Sequence, residues 1–192
     1  MALVLGTNCG FVTSAPSADP TGGIRQDIDG WAYAQKDTSP SGTYLITEIG
    51  IWVDNDTPEC NFEVGLYDHD SGDDEPNNLL QSDKINIKTT GSEWKRVTGL
   101  NWEIDSDTIY WIAAAMENNT QTSIDLQSGA GNCARKGPEV DTLPDPAWGD
   151  STSNLSYAVA IYAVVEEAAT GTNTQINIGD SWKDISEIQI NI

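Results

Sequence analysis

The sequence predicts an all-β chain: an antiparallel β-sandwich of the jelly-roll kind, followed by a short C-terminal β-hairpin tail. Three observations predict it. The clearest apolar segments alternate with period two, they are bounded by clusters of Gly, Asn, Asp, Ser and Thr, and almost nothing in the chain reads as helix. Many short strands joined by turns need two packed sheets to bury their apolar faces, and a jelly roll is the simplest such arrangement.

The strands follow in order. Short apolar stretches at 2–5 and 9–13 open the chain, and 31–36 comes next. In 44–53, Leu45, Thr47, Ile49, Ile51 and Val53 fall on one face, and in 61–67 Phe62, Val64 and Leu66 do the same, so each strand has one core side. Further candidates are 84–88, 94–104 broken near Gly99, 108–117 and 123–126. The segment 155–165 is contested, because its Ala and Glu favour helix while its Tyr, Val and Ile favour strand. Leu155, Tyr157, Val159, Ile161, Ala163 and Val165 alternate with mostly small or polar positions and no cap introduces a helical stripe, so strand is chosen. The expectation is eight to ten strands in a domain spanning 1–165. A linker at 166–175 and a β-repeat tail at 176–192 follow. In the tail Ile176-Asn177-Ile178 recurs as Ile190-Asn191-Ile192, with Gly179-Asp180-Ser181 as a turn before Trp182. A lone hairpin is marginal, so the tail is expected to pair with its own domain or with a neighbour through Ile176, Ile178, Trp182, Ile188, Ile190 and Ile192.

Charge narrows the function. The 192 residues carry 30 Asp and Glu against 9 Lys and Arg, a formal net charge of -21 and a pI near 4.1. Such a surface repels a nucleic-acid backbone. The same acidity suits plain solubility, a high-salt habitat or the collection of divalent cations, and composition leaves all three open. No apolar run approaches the ~20 residues needed to cross a bilayer, and the first five residues lack a basic n-region, so neither membrane insertion nor a signal peptide is expected. Cys9, Cys60 and Cys133 form no CxxC pair and His69 is the single histidine, which argues against a zinc site. One bridge at most can form within a subunit, and buried thiols are an equal alternative.

The densest carboxylate cluster runs from Asp68 to Glu75. Asp68, Asp70 and Asp73 with Gly72 begin like a calcium loop, but no glycine or distal glutamate falls where a twelve-residue loop requires it. A solvated hairpin connection is favoured, and calcium is the only cofactor considered. Trp52, Trp102 and Trp111 lie inside strands and are read as packing residues. Trp148 stands in a stretch of about 25 residues without periodicity, a length that in compact domains often marks a functional loop. Trp148 and Trp31 are therefore the candidates for stacking on a sugar ring, the alternative for Trp148 being a lid over one end of the sandwich. The basic pairs Lys95-Arg96 and Arg135-Lys136 are candidate docking points for an acidic neighbour, or solvated surface pairs. Three glycosylation sequons, at Asn55, Asn118 and Asn154, carry little weight. No Gly-x-Ser-x-Gly elbow, phosphate loop or dinucleotide fingerprint is present, and the chain is read as non-enzymatic.

Two sets of residues carry a resemblance. The tail string 179–192, GDSWKDISEIQINI, resembles the Ile-Asn-Ile-Gly-x-x-Trp-Lys repeats near the C-termini of tailed-virus structural proteins. The pieces GTNCGFV at 6–12, ITEIGIW at 46–52, FEVGLYD at 62–68, WKRVTGL at 94–100 and TIYWIAA at 108–114 are similar to jelly-roll domains of tail, fibre and other virion proteins. The strong acidity and residues 129–153 fall outside that pattern. The resemblance implies a virion structural protein, such as a head decoration, tail or fibre component, assembled in the host cytoplasm. Its expected partners are further copies of itself, as a trimer or larger, other virion proteins and host-surface glycans. The alternative is an extracellular carbohydrate-binding module. A glycosidase or esterase is a weaker third reading, since it would need converging carboxylates or a dyad built on His69.

Overall fold

The computed structural model describes residues 1–21, 24–54, 60–87, 91–116, 123–138, 140–149, 153–168, 175–177 and 182–184. The described chain is all β. Its strands are β1 (Gly10–Val12), β2 (Ile24–Asp27), β3 (Ala32–Thr38), β4 (Tyr44–Asp54), β5 (Cys60–Asp70), β6 (Glu75–Ile87) and β7 (Glu93–Ile104). Then come β8 (Ile109–Met116), β9 (Ser123–Lys136), β10 (Ser153–Val159), β11 (Ile161–Glu167), β12 (Gln175–Asn177) and β13 (Trp182–Asp184). No helix among the described residues is long and apolar enough to cross a membrane.

Eleven strands share one hydrogen-bonded network, which folds over at a corner into two packed layers. The smaller layer has the order β1-β11-β4-β7, with β1 parallel to β11 and the other pairs antiparallel. The larger has the order β10-β9-β3-β8-β5-β6, all antiparallel, and β2 lies along the start of β9. The corner is made at Ala160, where the contested 155–165 segment bends from one layer into the other. There Trp52 N donates to Ala160 O at 2.9 Å and Ala160 N donates to Asp125 O at 3.0 Å. A strand that changes sheets is a usual way to close such a sandwich.

Between the layers lies the main core. Ile49, Ile51, Val97, Ile161 and Ala163 of one layer meet Phe62, Val64, Leu66, Ile112, Ala114 and Ile124 of the other, all buried. The face expected for 44–53 is therefore inward at Ile49, Ile51 and Val53, and the face expected for 61–67 is inward throughout. Several expectations are corrected. The main network holds eleven strands, not eight to ten; β2 had no signal in its short polar sequence IRQD. β6 and β9 are far longer than the expected 84–88 and 123–126, because their extra residues are mostly polar, show no apolar alternation, and pair at an edge or through a bulge. Residues 2–5 form no strand, only a bridge from Leu5 to Cys9. β11 runs to Glu167 and Ala168 N bonds Thr43 O at 2.9 Å, so the expected linker begins inside the sheet. In the tail β12 pairs antiparallel with β13, Ile176 opposite Lys183. The expected turn at 179–181 and the assembly residues Ile178, Ile188, Ile190 and Ile192 lie outside the described residues, as do the side chains of Ile176 and Trp182.

Both outer faces are covered by the chain itself. On the smaller layer Trp52, Trp94 and Tyr162 form an edge-to-face ladder, with ring centroids 5.6 and 5.0 Å apart, under Leu3, Cys9 and Val12. On the larger layer the sheet surface carries small residues, Ala32, Ala34, Ala113, Ala115, Ala134 and Gly65, together with Tyr67 and Trp111, and residues 140–149 lie across it with Leu143 and Trp148 pressed down. Glu63 Oε2 accepts from Leu143 N at 2.8 Å and Tyr67 Oη donates to Pro144 O at 2.6 Å, which fixes this strap.

Candidate functional site

A cleft of about 380 Å³ sits where the larger layer is split. Its cause is a bulge. Leu155 pairs with Cys133 and Tyr157 with Ser128, so four residues of β9, 129–132, stand against Ser156 alone. Gly129, at φ +75°, permits the turn that this extra chain requires. β3 pairs with β9 only as far as Gln35, and beyond that point its end, Lys36 to Thr38, diverges to form one wall of the opening. Asn132 and Ser156 form the other, with Leu5 and Ile109 adding apolar surface.

Gln35 closes the gap behind the cleft. It is fully buried, its Nε2 donates to Asn132 O and Lys36 O at 2.9 Å each, and its Oε1 accepts from Val159 N at 2.8 Å. Three backbone groups around the split are thus satisfied by one amide side chain. Asp37 is held as firmly: its Oδ2 accepts from Phe11 N and its Oδ1 from Thr38 N, each at 2.8 Å. Burial pushes its carboxyl above the usual aspartate range, against the pull of those two amides. Gly10 must be glycine here, since a Cβ would lie 2.2 Å from Asp37 Oδ2.

Next to the cleft Lys36 Nζ pairs with Asp74 Oδ1 at 2.5 Å and stands 5.6 Å from the Trp111 ring centroid. His69 shares this corner: its Nδ1 accepts from Trp111 Nε1 at 3.2 Å and its Nε2 lies 3.7 Å from Asp74 Oδ1. Asp74, at φ +57°, is the residue of the acidic turn that reaches back to the sheet.

The sequence-predicted residues fall as follows. Asp68 Oδ1 accepts from Asn78 N at 2.6 Å and Asp70 Oδ1 from Gly72 N at 2.7 Å, so both brace the β5–β6 turn, at whose exposed tip Asp73 lies. No group of three or more His, Cys, Asp and Glu side chains among the described residues is placed to hold a metal ion. Trp148, 1% exposed, is packed edge-on to Tyr67 with centroids 5.2 Å apart, and so presents no face to a ligand. The strap that carries it covers the sheet's outer face instead of one end of the sandwich. Trp31 is half-buried with the Arg135 guanidinium 4.7 Å from its ring centroid, so one basic candidate is stacked on one aromatic candidate. The Lys95-Arg96 pair serves the fold: Lys95 is buried and paired with Glu93, and Arg96 binds Tyr162 Oη at 2.8 Å, Glu48 at 3.3 Å and Pro16 O at 2.8 Å. Cys9 and Cys133 are buried free thiols, both pushed up to about 12 by burial. Sequence reasoning missed Gln35, Asp37, Asn132 and Ser156 altogether. The one signal was Gly129-Ala130-Gly131, a glycine pair inside an extended segment that suggests a bulge.

No family model matches the chain, and no curated protein or solved structure matches it.

Proposed function

We propose that this chain is a non-enzymatic structural protein of a tailed virus, a jelly-roll domain that assembles with copies of itself on a head, tail or fibre. The observation that carries the reading is the outer edge of β6. The row of inward side chains Met116–Phe62–Ile85 runs across three strands and stops at Ile85, which is 42% exposed, with Leu80 at 43% on the same strand. The start of β6 is covered, since Leu79 N donates to Pro146 O and Trp148 N to Asn77 O, each at 2.8 Å. Past that point, among the described residues, β6 pairs with β5 alone. An open edge with apolar side chains favours strand addition. On a chain of net -21 the segment 81–87 carries one Asp and one Lys, so it is a place where like copies approach without repulsion. The resemblance of the body pieces and of the tail repeat to virion proteins points the same way.

Light scattering across concentration, at low and high salt, tests the reading on the full chain, on Ile85→Lys and on a chain ending at residue 168. A closed trimer or larger assembly that Ile85→Lys dissociates is the expected result. A monomer at every concentration would overturn assembly. An assembly lost only with the tail would move the contact from β6 to residues 169–192.

A further inference from the structure

We propose that the cleft opened by the β9 bulge binds a neutral saccharide of about one or two rings, consistent in size with the lower end of small-molecule sites. This inference does not depend on assembly. The cleft volume is about 380 Å³, and its walls offer donors and acceptors side by side: the Asn132 amide, the Asp37 carboxylate and the Ser156 hydroxyl. Sugar hydroxyls each donate and accept, so such a mixed wall recognises vicinal pairs of them. Leu5 and Ile109, the latter 38% exposed, supply aliphatic surface for the C–H face of a ring.

Charge selects against anions. Among the described residues Lys36 is the one cation lining the cleft, it is already paired with Asp74, and Asp37 stands beside it on a chain of net -21. A phosphate or a uronate therefore meets net repulsion. The walls are also set before a ligand arrives. Two backbone amides hold Asp37, and Gln35 ties the bulge to β3 and to β10. Little conformational freedom is left to lose on binding. Aromatic stacking is not the mode here, because Trp148 is buried and Arg135 lies against Trp31.

The test is saturation-transfer NMR and calorimetry with glucose, galactose, mannose and N-acetylglucosamine, with glucuronate and inorganic phosphate as charged probes. Exposed positions are varied so that the fold survives: Asn132→Ala, Ser156→Ala and Ile109→Ser, each checked for unchanged melting. The expected result is binding of at least one neutral sugar, weakened tenfold or more by Asn132→Ala and by Ile109→Ser, with the oligomeric state unaltered. Binding that survives all three variants would overturn the site. Preference for glucuronate or phosphate would overturn the ligand class, and no binding by any probe would overturn the inference as a whole.

Discussion

The two outer faces of the sandwich solve one problem with different covers. A sheet with a second apolar face must hide it, and in the smaller layer the sheet supplies the bulk itself: Trp52, Trp94 and Tyr162 rise from β4, β7 and β11 and a thin N-terminal segment lies over them. In the larger layer the sheet supplies Tyr67 and Trp111 among alanines and Gly65, and the strap adds the bulk of Leu143 and Trp148. The difference shows where stability is stored. Large rings anchored in a sheet stay put when their cover lifts, whereas a strap that carries its own large side chain takes the packing away with it.

The largest effect should come from removing that side chain. Trp148 is among the largest fully buried residues, and Trp148→Ala is expected to cost about 3–5 kcal/mol. Trp148→Phe should cost much less, because the ring fills the space while Nε1 has no hydrogen-bond partner among the described residues. Urea titration measures both. Equal losses for the two variants would mean that the indole N–H, not the volume, holds the strap.

A smaller effect separates the two faces at one pair of glycines. A Cβ at Gly50 would lie 2.5 Å from ring carbons of Tyr162, whose hydroxyl is tied to Arg96 and Glu48. A Cβ at Gly65 would lie 2.5 Å from Leu143 Cδ1, the far end of a side chain that can turn, and 3.1 Å from Gln81 O. Gly50→Ala is therefore expected near the upper end of about 1–3 kcal/mol, and Gly65→Ala near the lower end. Thermal melts of the two variants check the order. Its reversal would show that the strap, not the aromatic ladder, is the stiffer cover.

The contrast between the faces also explains what the sequence discloses. Alternation revealed β4, β5, β8 and the β10–β11 run because each has an apolar row that must face the core. The outer faces were hidden. Ala113 and Ala115 read as neutral spacers until Leu143 and Trp148 arrive from a segment with no period of its own, and the long-range contact that buries Trp148 leaves no local mark. The cleft was hidden for a related reason. Its polar residues come from β3, β9 and β10, and only the bulge, signalled by two glycines, brings Asn132 opposite the end of β3. His69 and Asp74 are five positions apart in a turn that looked merely acidic, yet the turn returns Asp74 to Lys36 across the sheet.

The smallest effect concerns the thiols, one in the N-terminal cover and one in the core. Cys9 belongs to the thin N-terminal cover and Cys133 to the core between the layers. Burial disfavours both thiolates and raises each from 9.0 to about 12, so at pH 8 the thiolate fraction is about one in ten thousand and alkylation is slow. The folded chain keeps these protons while the unfolded chain releases them above pH 9, so folding stability is full below pH 9 and declines as pH rises toward 12. Iodoacetamide labelling followed by peptide mass analysis should modify neither thiol at pH 8 in water. In mild denaturant Cys9 should label first, because the N-terminal segment can lift without parting the layers, while Cys133 waits for global unfolding. Simultaneous labelling would make the N-terminal cover part of the same cooperative unit as the core, so that this outer face opens only when the layers part.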